Sequence, residues 1–447
     1  MKKRANSPND KLTRVGSVFF ATFSHYEGGR RMPRNGMVDP ILSFFLPKIN
    51  KLLLIDQPHQ ISDTINPIIE IYSKHKLRRR FKISPLFYLP VYLFCLIPGK
   101  KQTRVSYKLR DLFSVIFIGL MQREKYDLFV GLEGINVLGG LFLKKIGKIK
   151  TVVYYVSDYS PTRFGETLFN KLYLWLDRFC VKHADFTWDV SSAMKEGRIE
   201  GGLSVADTGR ILHVPNGLFS SQINSLPIKK RISNRLVYLG SLDYEFGVDL
   251  AIKSLKRIKK NIPGATLHII GGGEEENFLR LKALVKKLDI EDSVIFHGFV
   301  IDNNKMAEMV SSSYIGVAPY RSGDSSARWY GWYGDAGKIR QYLASGLPVV
   351  TTHVPPLGRF AAEKGAAVMK KDTVRDFSEG ILTLLLDKKK YKELSQKAQE
   401  LGKNNTWENS YNKALQKMKM SLTRFCANTL YPLQSPIDED TSSSSIG

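Results

Sequence analysis

The chain of 447 residues is long enough for two well-packed domains, and its 43% hydrophobic and 11% aromatic content is typical of a globular protein. A net charge of +25 and a pI near 9.7 exclude a neutral surface and favour polyanionic partners, such as nucleic acid, anionic lipid head groups or nucleotide phosphates. Three widely spaced cysteines form neither a disulfide framework nor a metal-ligand pattern. We therefore expect a reducing, cytoplasmic environment and no bound metal.

The N-terminal sequence and the apolar runs predict no signal peptide and no spanning helix. The first residues, MKKRANSPNDKLTR, lack an apolar core, and no run reaches the roughly 18 apolar residues that a spanning helix needs. The nearest candidate is the apolar run 85–98, which contains a proline and lies between the basic stretches 76–82 and 99–104. A buried strand pair with solvated basic loops is the favoured interpretation. The alternative is a segment resting on an anionic bilayer, at the inner face of the membrane.

The first half of the chain alternates short apolar runs with amphipathic stretches, which is typical of an α/β domain with a parallel sheet. The spacing predicts a helix over 168–183, with an apolar face formed by Leu168, Leu172, Leu176 and Phe179. Strands are predicted over 15–23, 51–56, 127–132, 151–156 and 185–190.

A glycine pair follows the first of these strands. His25, Gly28, Gly29 and Arg30 lie where the strand ends, and the glycines can turn the chain tightly at the edge where α/β domains bind ligands. A binding site and a plain loop are equally compatible with this pattern.

Two acidic residues follow later strands at the same predicted edge. Glu133 comes after the strand over 127–132, and Asp158 comes after the strand over 151–156. Strand-end acids are favoured places for catalysis, although capping a helix is their commoner role. Of the two, Asp158 is the stronger catalytic candidate.

A second α/β series begins near residue 235, after the polar and basic stretch 225–234, which we interpret as a hinge. Its predicted strands lie within 235–241, 266–273, 293–300, 314–320 and 347–352. A last amphipathic helix is predicted over 410–427. The Ser-rich tail 432–447 is predicted to be disordered, and its acidic run 438–440 is not interpreted as a metal site.

The stretch GDAGKIRQYLASGLPVVTT (334–352) predicts a polar turn, one helix, a glycine stop and a buried strand. Asp335 can cap the helix and Gly346 can end it. Lys338 and Gln341 fall on its polar face. A helix that starts after a Gly-rich turn is a ready phosphate site, although on the pattern alone an ordinary αβ unit is the favoured interpretation. Gly240, before another helix start, carries the same kind of signal.

The string Lys338-x-x-Gln341-Tyr342-Leu343-Ala344-x-Gly346-x-Pro348-Val349-Val350 resembles the nucleotide-sugar segment of family 4 glycosyltransferases with the GT-B fold. The resemblance implies an α/β fold of two Rossmann-like doubly wound domains that face a central cleft. It implies an acceptor domain over 1–226, a nucleotide-sugar domain over 233–407, and a helix over 408–428 that returns to the first domain. The two glutamates of the family pattern fall at Tyr333 and Gln341, so both are absent.

The resemblance also implies site residues. At the positions of Ser241 and Phe246, many members of the family have cationic residues that contact the diphosphate. Lys338 is therefore expected to carry more of that role, unless Arg321 or Arg328 substitutes. A solvated loop is the alternative interpretation for both arginines. The predicted catalytic residues are Asp158 and Lys338. The predicted donor-binding residues are Gly240, Ser241, Gly272, Phe299, Val300, Arg321, Asp335, Lys338, Gln341 and Tyr342. The predicted acceptor-binding residues are His25, Gly28, Gly29, Arg30 and Glu133.

The resemblance favours a metal-independent, retaining glycosyltransferase of the hexosyltransferase class. The expected partners are a nucleotide diphosphate sugar, which acts as co-substrate with no other cofactor, a glycan or lipid-linked acceptor, and an anionic membrane surface. The missing acids keep a non-catalytic GT-B protein, which binds a glycan or nucleotide sugar, as an alternative. A nucleic-acid partner is not expected, since no helix-turn-helix, zinc-finger or RNP-type string is present.

Overall fold

The structure is a computed structural model that describes residues 12–32, 37–84, 86, 100–323 and 330–422, with the backbone alone at 100–104 and 330. The apolar-basic segment 85–98 (apart from residue 86), Arg328 and the tail 432–447 lie outside the described residues, so the predictions made for them are not addressed by the structure.

A mostly parallel sheet forms the centre of the first domain. Its helices are α1 (Val38–Phe45), α2 (Lys100–Met121), α3 (Gly134–Lys145), α4 (Leu168–His183) and α5 (Ala193–Glu200). The strands of this half are β1 (Thr13–Val15), β2 (Ser17–Glu27), β3 (Arg30–Met32), β4 (Lys51–Pro58), β5 (Ile68–Ser73), β6 (Lys76–Lys82), β7 (Tyr126–Leu132), β8 (Ile149–Val156), β9 (Phe186–Asp189) and β10 (Ile211–His213). Within the described residues the sheet order is β10-β9-β8-β7-β2-β4-β5-β6, with β3 paired to β2.

All five strands predicted for this half are present, and their buried side chains form one apolar core. Strand β2 is longer than predicted because Gly28 and Gly29, with φ of +58° and +72°, make a tight hairpin turn into β3. The predicted acceptor loop is therefore a β-hairpin, with His25 and Arg30 in its two strands.

The basic stretch 76–82 forms the edge strand β6 rather than a loop. Its side chains are mostly exposed, and β6 pairs antiparallel with β5 on one side only. Lysine and arginine side chains on an edge strand discourage pairing with another sheet. This placement accounts for one concentrated part of the positive charge.

The second domain has a six-stranded parallel sheet. Its strands are β11 (Arg235–Leu239), β12 (Thr266–Ile270), β13 (Val294–Gly298), β14 (Ile315–Ala318), β15 (Val349–Thr351) and β16 (Ala367–Met369). Its helices are α6 (Val248–Ile258), α7 (Glu275–Lys287), α8 (Asn303–Ser311), α9 (Gly337–Ala344), α10 (Pro356–Glu363), α11 (Val374–Leu386) and α12 (Lys388–Lys403). Within the described residues the order is β13-β12-β11-β14-β15-β16, that of a doubly wound Rossmann sheet.

The end of the described chain returns to the first domain. Helix α13 (Trp407–Lys417) places Tyr411 in the first core, and β17 (Met420–Leu422) pairs parallel with β1. The predicted helix over 408–428 therefore stops early, because Lys419 takes a left-handed conformation with φ of +53° and the chain continues as a strand.

The stretch 225–234, predicted as a hinge, is anchored to the second domain by Arg231. This side chain is buried and donates to the carbonyl oxygen of Gly346 at 2.9 Å and to the hydroxyls of Tyr391 and Ser395, both at 3.0 Å. Its charge is thus satisfied by neutral acceptors inside the protein rather than by solvent.

Candidate functional site

The second sheet reverses its strand order between β11 and β14, and such a switch point opens a crevice at the carboxyl ends of the strands. Three glycines with positive φ stand at this edge: Gly240 (+133°), Gly271 (+150°) and Gly298 (+69°). A Cβ atom on Gly271 would lie 1.8 Å from the carbonyl oxygen of Gly240, so the close approach of these two turns requires glycine. The result is an edge of open backbone that a ligand can approach.

Lys338 reaches this edge from the first turn of α9 and lies in a cage of aromatic rings. Its Nζ atom donates to the hydroxyl of Tyr238 at 2.9 Å and lies 4.2 Å, 4.6 Å and 4.6 Å from the ring centres of Tyr238, Phe246 and Tyr320. Burial lowers the pKa of Lys338 well below its ordinary value. Among the described residues no carboxylate forms an ion pair with it.

The aromatic cage is the part of this site that the motif did not predict. Tyr238 lies near the end of β11, Phe246 precedes α6, and Tyr320 follows β14. Parallel strands bring their carboxyl ends to one edge, so these aromatic residues converge although they are far apart in the sequence. Aromatic residues at or shortly after the ends of two neighbouring strands, β11 and β14, were the available signal.

Several of the predicted donor-binding residues line the same edge. The Oγ atom of Ser241 donates to Asp243 at 2.6 Å, and Gly272 lies against Phe299. Phe299 is exposed, and Val300 follows it after the turn at Gly298. The structure brings these positions together beside Lys338, and their contact with a donor stays a prediction.

Asp335 does not cap the helix as predicted. Helix α9 starts at Gly337 without a side-chain cap, because the carboxylate of Asp335 is engaged elsewhere. One oxygen pairs with Arg340 at 2.6 Å, and the other accepts from the backbone N–H of Asn216 at 3.0 Å. Asp335 thus joins the second domain to the turn that ends the first.

Gln341 and Tyr342 are buried rather than lining the crevice. The Nε2 of Gln341 donates to the carbonyl of Gln222 at 3.1 Å. The hydroxyl of Tyr342 accepts from the N–H of Leu239 at 2.8 Å and donates to the carbonyl of Val317 at 3.2 Å, which braces β11 against β14. Both side chains are at most 1% exposed, so in this conformation they support the site from behind.

Arg321, predicted as a substitute cation, is already paired. Its guanidinium binds Asp249 at 2.6 Å and the carbonyl of Asp372 at 3.0 Å. Its role toward a donor stays a prediction, but Asp249 offsets its charge. Lys338 is therefore the cation of this edge that most needs a counter-ion.

The first sheet has its own switch point between β2 and β7, and two adjoining cavities of about 240 Å³ each lie there. The two cavities share the lining residues Lys108, Glu133, Arg163, Phe164 and Phe169. Asp158 and aliphatic side chains of α2 and α4 line one of them, and His59 lines the other. His59, which the motifs did not indicate, follows β4 at this edge.

Glu133 and Asp158 have opposite electrostatic environments within these cavities. Burial raises the pKa of Glu133, but Lys108, its ion-pair partner, and Arg163 outweigh it and hold the pKa below its ordinary value. Asp158 is exposed at the cavity rim; partial desolvation there raises its pKa, opposed by Arg163 and reinforced by Glu133. Two carboxyl groups with pKa values pushed apart are a frequent arrangement in active sites.

The backbone at Glu133 is also strained. This residue has φ of +65° and ψ of +151°, a region used almost only by glycine, at an estimated cost of about 1–3 kcal/mol. Strain of this kind concentrates at functional sites, where it fixes a side chain in place. It aims the carboxylate of Glu133 toward Lys108 and the cavities.

The described residues include no helix that is both long and apolar enough to span a bilayer. They also include no cluster of three or more His, Cys, Asp or Glu side chains arranged to hold a metal ion.

Comparisons with known proteins place these features in context. Residues 223–401 match a family model described as "Glycosyl transferases group 1". An uncharacterized glycosyltransferase of Haemophilus influenzae is 26% identical over 173 residues, which cover 38% of this chain and 45% of that protein. Another, from Methanocaldococcus jannaschii, is 24% identical over 230 residues, which cover 49% of this chain and 52% of that protein. The chain thus matches about half the length of these relatives.

A solved structure shows the same fold over nearly the whole chain. The crystal structure of Anabaena Alr3699/HepE in complex with UDP superimposes with a TM-score of 0.62 at 12% identity, and the match covers 90% of this chain and 99% of that one. The fold is therefore GT-B, as the motif predicts.

Proposed function

We propose that the protein is a glycosyltransferase that takes its sugar from a nucleoside diphosphate sugar bound at the second-domain edge. The sugar passes to an acceptor hydroxyl bound in the first-domain cavities. The class of hexosyl transfer, retention at the anomeric carbon, and independence from metal extend this proposal on the resemblance alone.

The observation that carries the proposal is the buried amine of Lys338 at the glycine edge. It is 7% exposed and lacks a carboxylate partner among the described residues, although burying an unpaired charge is costly. A diphosphate at the adjoining glycine edge would supply the missing negative charge. HepE carries UDP in one crystal structure and UDP-glucose in another, so uridine is the first base to test.

The proposed reaction breaks the bond between the anomeric carbon and the β-phosphate oxygen and forms a bond from that carbon to the acceptor oxygen. The diphosphate leaves with increased negative charge, which Lys338 stabilises electrostatically. The acceptor hydroxyl loses its proton, and Asp158 is the proposed proton acceptor because its raised pKa suits that role better than the ion-paired Glu133.

The test is release of UDP from UDP-glucose, measured with and without a mixture of glycan and lipid-linked acceptors. We expect release that depends on acceptor and is lost in Lys338→Met. UDP binding without any release would favour the non-catalytic alternative. Absence of both binding and release would contradict the proposal.

A further inference from the structure

Helices α2, α3 and α4 form one layer on the first sheet. The crossovers between parallel strands β7, β8 and β9 place α3 and α4 on the same face. Glycines allow the helices to pack closely: a Cβ on Gly139 would lie 2.7 Å from Val115 of α2, and one on Gly134 would lie 3.0 Å from Leu176 of α4. These three helices therefore present one continuous outer surface.

Helix α2 buries Val115 and Ile118 but also carries apolar side chains on its outer face. Its buried positions include Ser106, Arg110, Asp111 and Ser114, and Arg110 is satisfied by Asp111 and by backbone carbonyls. Its exposed positions include Val105, Leu109 and Phe113, which are 46%, 39% and 48% exposed. Their i, i+4, i+8 spacing places them in one stripe on the outer face.

Helix α4 likewise buries Cys180 and Val181 but is apolar on part of its outer side. Asn170 and Asp177 are buried, whereas Leu168, Leu172 and Trp175 are 83%, 56% and 53% exposed. Of the predicted apolar face of this helix, Leu168 and Leu172 thus point outward, whereas Leu176 and Phe179 pack against the first core. In a surface helix the apolar side normally faces the core, so the outward stripe indicates a surface that is covered in use.

Cationic side chains border these stripes. Lys171 lies three residues after Leu168 and four before Trp175, and Lys145 lies three residues after Phe142, which is 43% exposed on α3. Neither Lys145 nor Lys171 has a carboxylate partner among the described residues. An apolar surface carrying a tryptophan and bordered by free ammonium groups is complementary to anionic lipid head groups above an acyl layer.

We propose that the α2–α3–α4 face docks on an anionic lipid bilayer. This interaction goes beyond the proposed function and does not depend on it. Leu109 and Leu172 belong to the stripes and also line the cavity that contains Glu133 and Asp158. Docking would therefore bring the mouth of the first-domain cavity to the membrane surface, where a membrane-borne acceptor can enter.

The test is sedimentation of the full chain with phosphatidylcholine vesicles, with and without phosphatidylglycerol, over a salt series. We expect binding to the anionic vesicles that weakens as salt rises. The variant Phe113→Gln/Phe142→Gln/Trp175→Gln changes one exposed residue on each helix, none of which lines the cavities, and should lower the partition coefficient at least about tenfold. Lys145→Gln/Lys171→Gln should reduce the salt-dependent part of binding.

The matched control is Leu279→Gln/Phe360→Gln/Leu386→Gln, which changes three residues of the second domain that are 56%, 45% and 65% exposed. It should bind vesicles as the wild type does. Binding that survives the first variant overturns the proposed surface. Failure to bind vesicles at any salt also overturns the proposed surface. The face would then be covered by a second copy, which analytical ultracentrifugation detects, or by another segment of the chain. The melting temperature with UDP reports donor binding separately, so failure of docking is distinguishable from failure of the proposed function.

Discussion

At the scale of single residues, the candidate donor site centres on Lys338, a buried lysine with no carboxylate partner within the part of the chain that the structure describes. The aromatic rings around Lys338 supply a negative π face and Tyr238 accepts one hydrogen bond, which stabilise the ammonium only in part. Because burial lowers the pKa of Lys338, the ligand-free site loses this proton at a lower pH than an exposed lysine would. A diphosphate would favour the protonated form. Diphosphate affinity should therefore fall as the pH rises through the ligand-free pKa of Lys338, with proton uptake detectable by calorimetry in buffers of different ionisation enthalpy.

Replacement of Lys338 by methionine should separate binding from stability. We expect UDP affinity to fall roughly tenfold to a hundredfold, the usual value of a charge-assisted hydrogen bond. The free energy of unfolding should not decrease, because an apolar side chain replaces an unpaired buried charge. Isothermal titration calorimetry and urea unfolding measure the two effects. Lys286→Met, which removes an exposed charge from the same domain, should leave UDP affinity unchanged.

Gln341 is the residue at which introducing the glutamate of the resembling glycosyltransferase family should be harmful. Gln341→Glu replaces the donor that binds the carbonyl of Gln222 with a buried carboxylate facing the same oxygen. We expect a loss of about 1–3 kcal/mol in the free energy of unfolding and weaker UDP binding. A gain in both stability and UDP affinity would show that this position is an ordinary donor contact.

The residue roles were the least predictable part of the site from sequence. The motif located Lys338 at the start of α9, and the structure places it at the switch-point crevice. It misplaced the contact of Asp335, because the carboxylate accepts from the backbone of Asn216, a contact that depends on how the domains meet. Local spacing contains no information about a partner more than 100 residues away.

At the scale of elements, periodicity located α4 at its observed ends and placed Leu176 and Phe179 on the core side, but Leu168 and Leu172 of the same predicted face are exposed. A helical pattern shows which residues share a face. It does not show whether the sheet or a further partner covers that face. The early end of α13 had a similar cause, since pairing of β17 with β1 outweighed the helical pattern of the sequence.

A histidine pair on β12 and β13 predicts acid sensitivity of the second domain. The Nδ1 of His268 lies 2.9 Å from the Nε2 of His297, and burial, with Arg235 and His297, lowers the pKa of His268 from 6.5 to about 4. The unfolded chain therefore takes up this proton more readily. We expect the free energy of unfolding to fall as the pH drops from about 6.5 to 4. His268→Gln should flatten that dependence in urea unfolding series, and an unchanged slope would contradict this assignment.

At the scale of the whole molecule, Tyr333 joins the two domains. Its ring packs against Gly197 of α5 and lies 6.0 Å from the ring of Tyr159, and its hydroxyl donates to Glu200 at 3.3 Å. The position at which the resemblance to family 4 glycosyltransferases implies an acid is thus used here for a contact between domains.

Removal of that ring should loosen the domain arrangement. Tyr333→Ala should lower the free energy of unfolding by about 3–5 kcal/mol, the usual cost of removing a buried aromatic side chain, and should increase the radius of gyration in solution scattering. Tyr244→Ala, which removes an exposed ring of the second domain, is the matched control and should change neither. A Tyr333→Ala protein with unchanged stability and radius would show that this contact does not hold the domains together.

The most direct measurement is calorimetric titration of the wild-type chain with UDP and with UMP under the same conditions. The buried Lys338 ammonium at the glycine edge predicts that UDP binds at least about tenfold more tightly than UMP, since only UDP brings a second phosphate to the site. The same preference should disappear in Lys338→Met. Equal affinity of the wild-type protein for the two nucleotides would contradict a diphosphate site at Lys338.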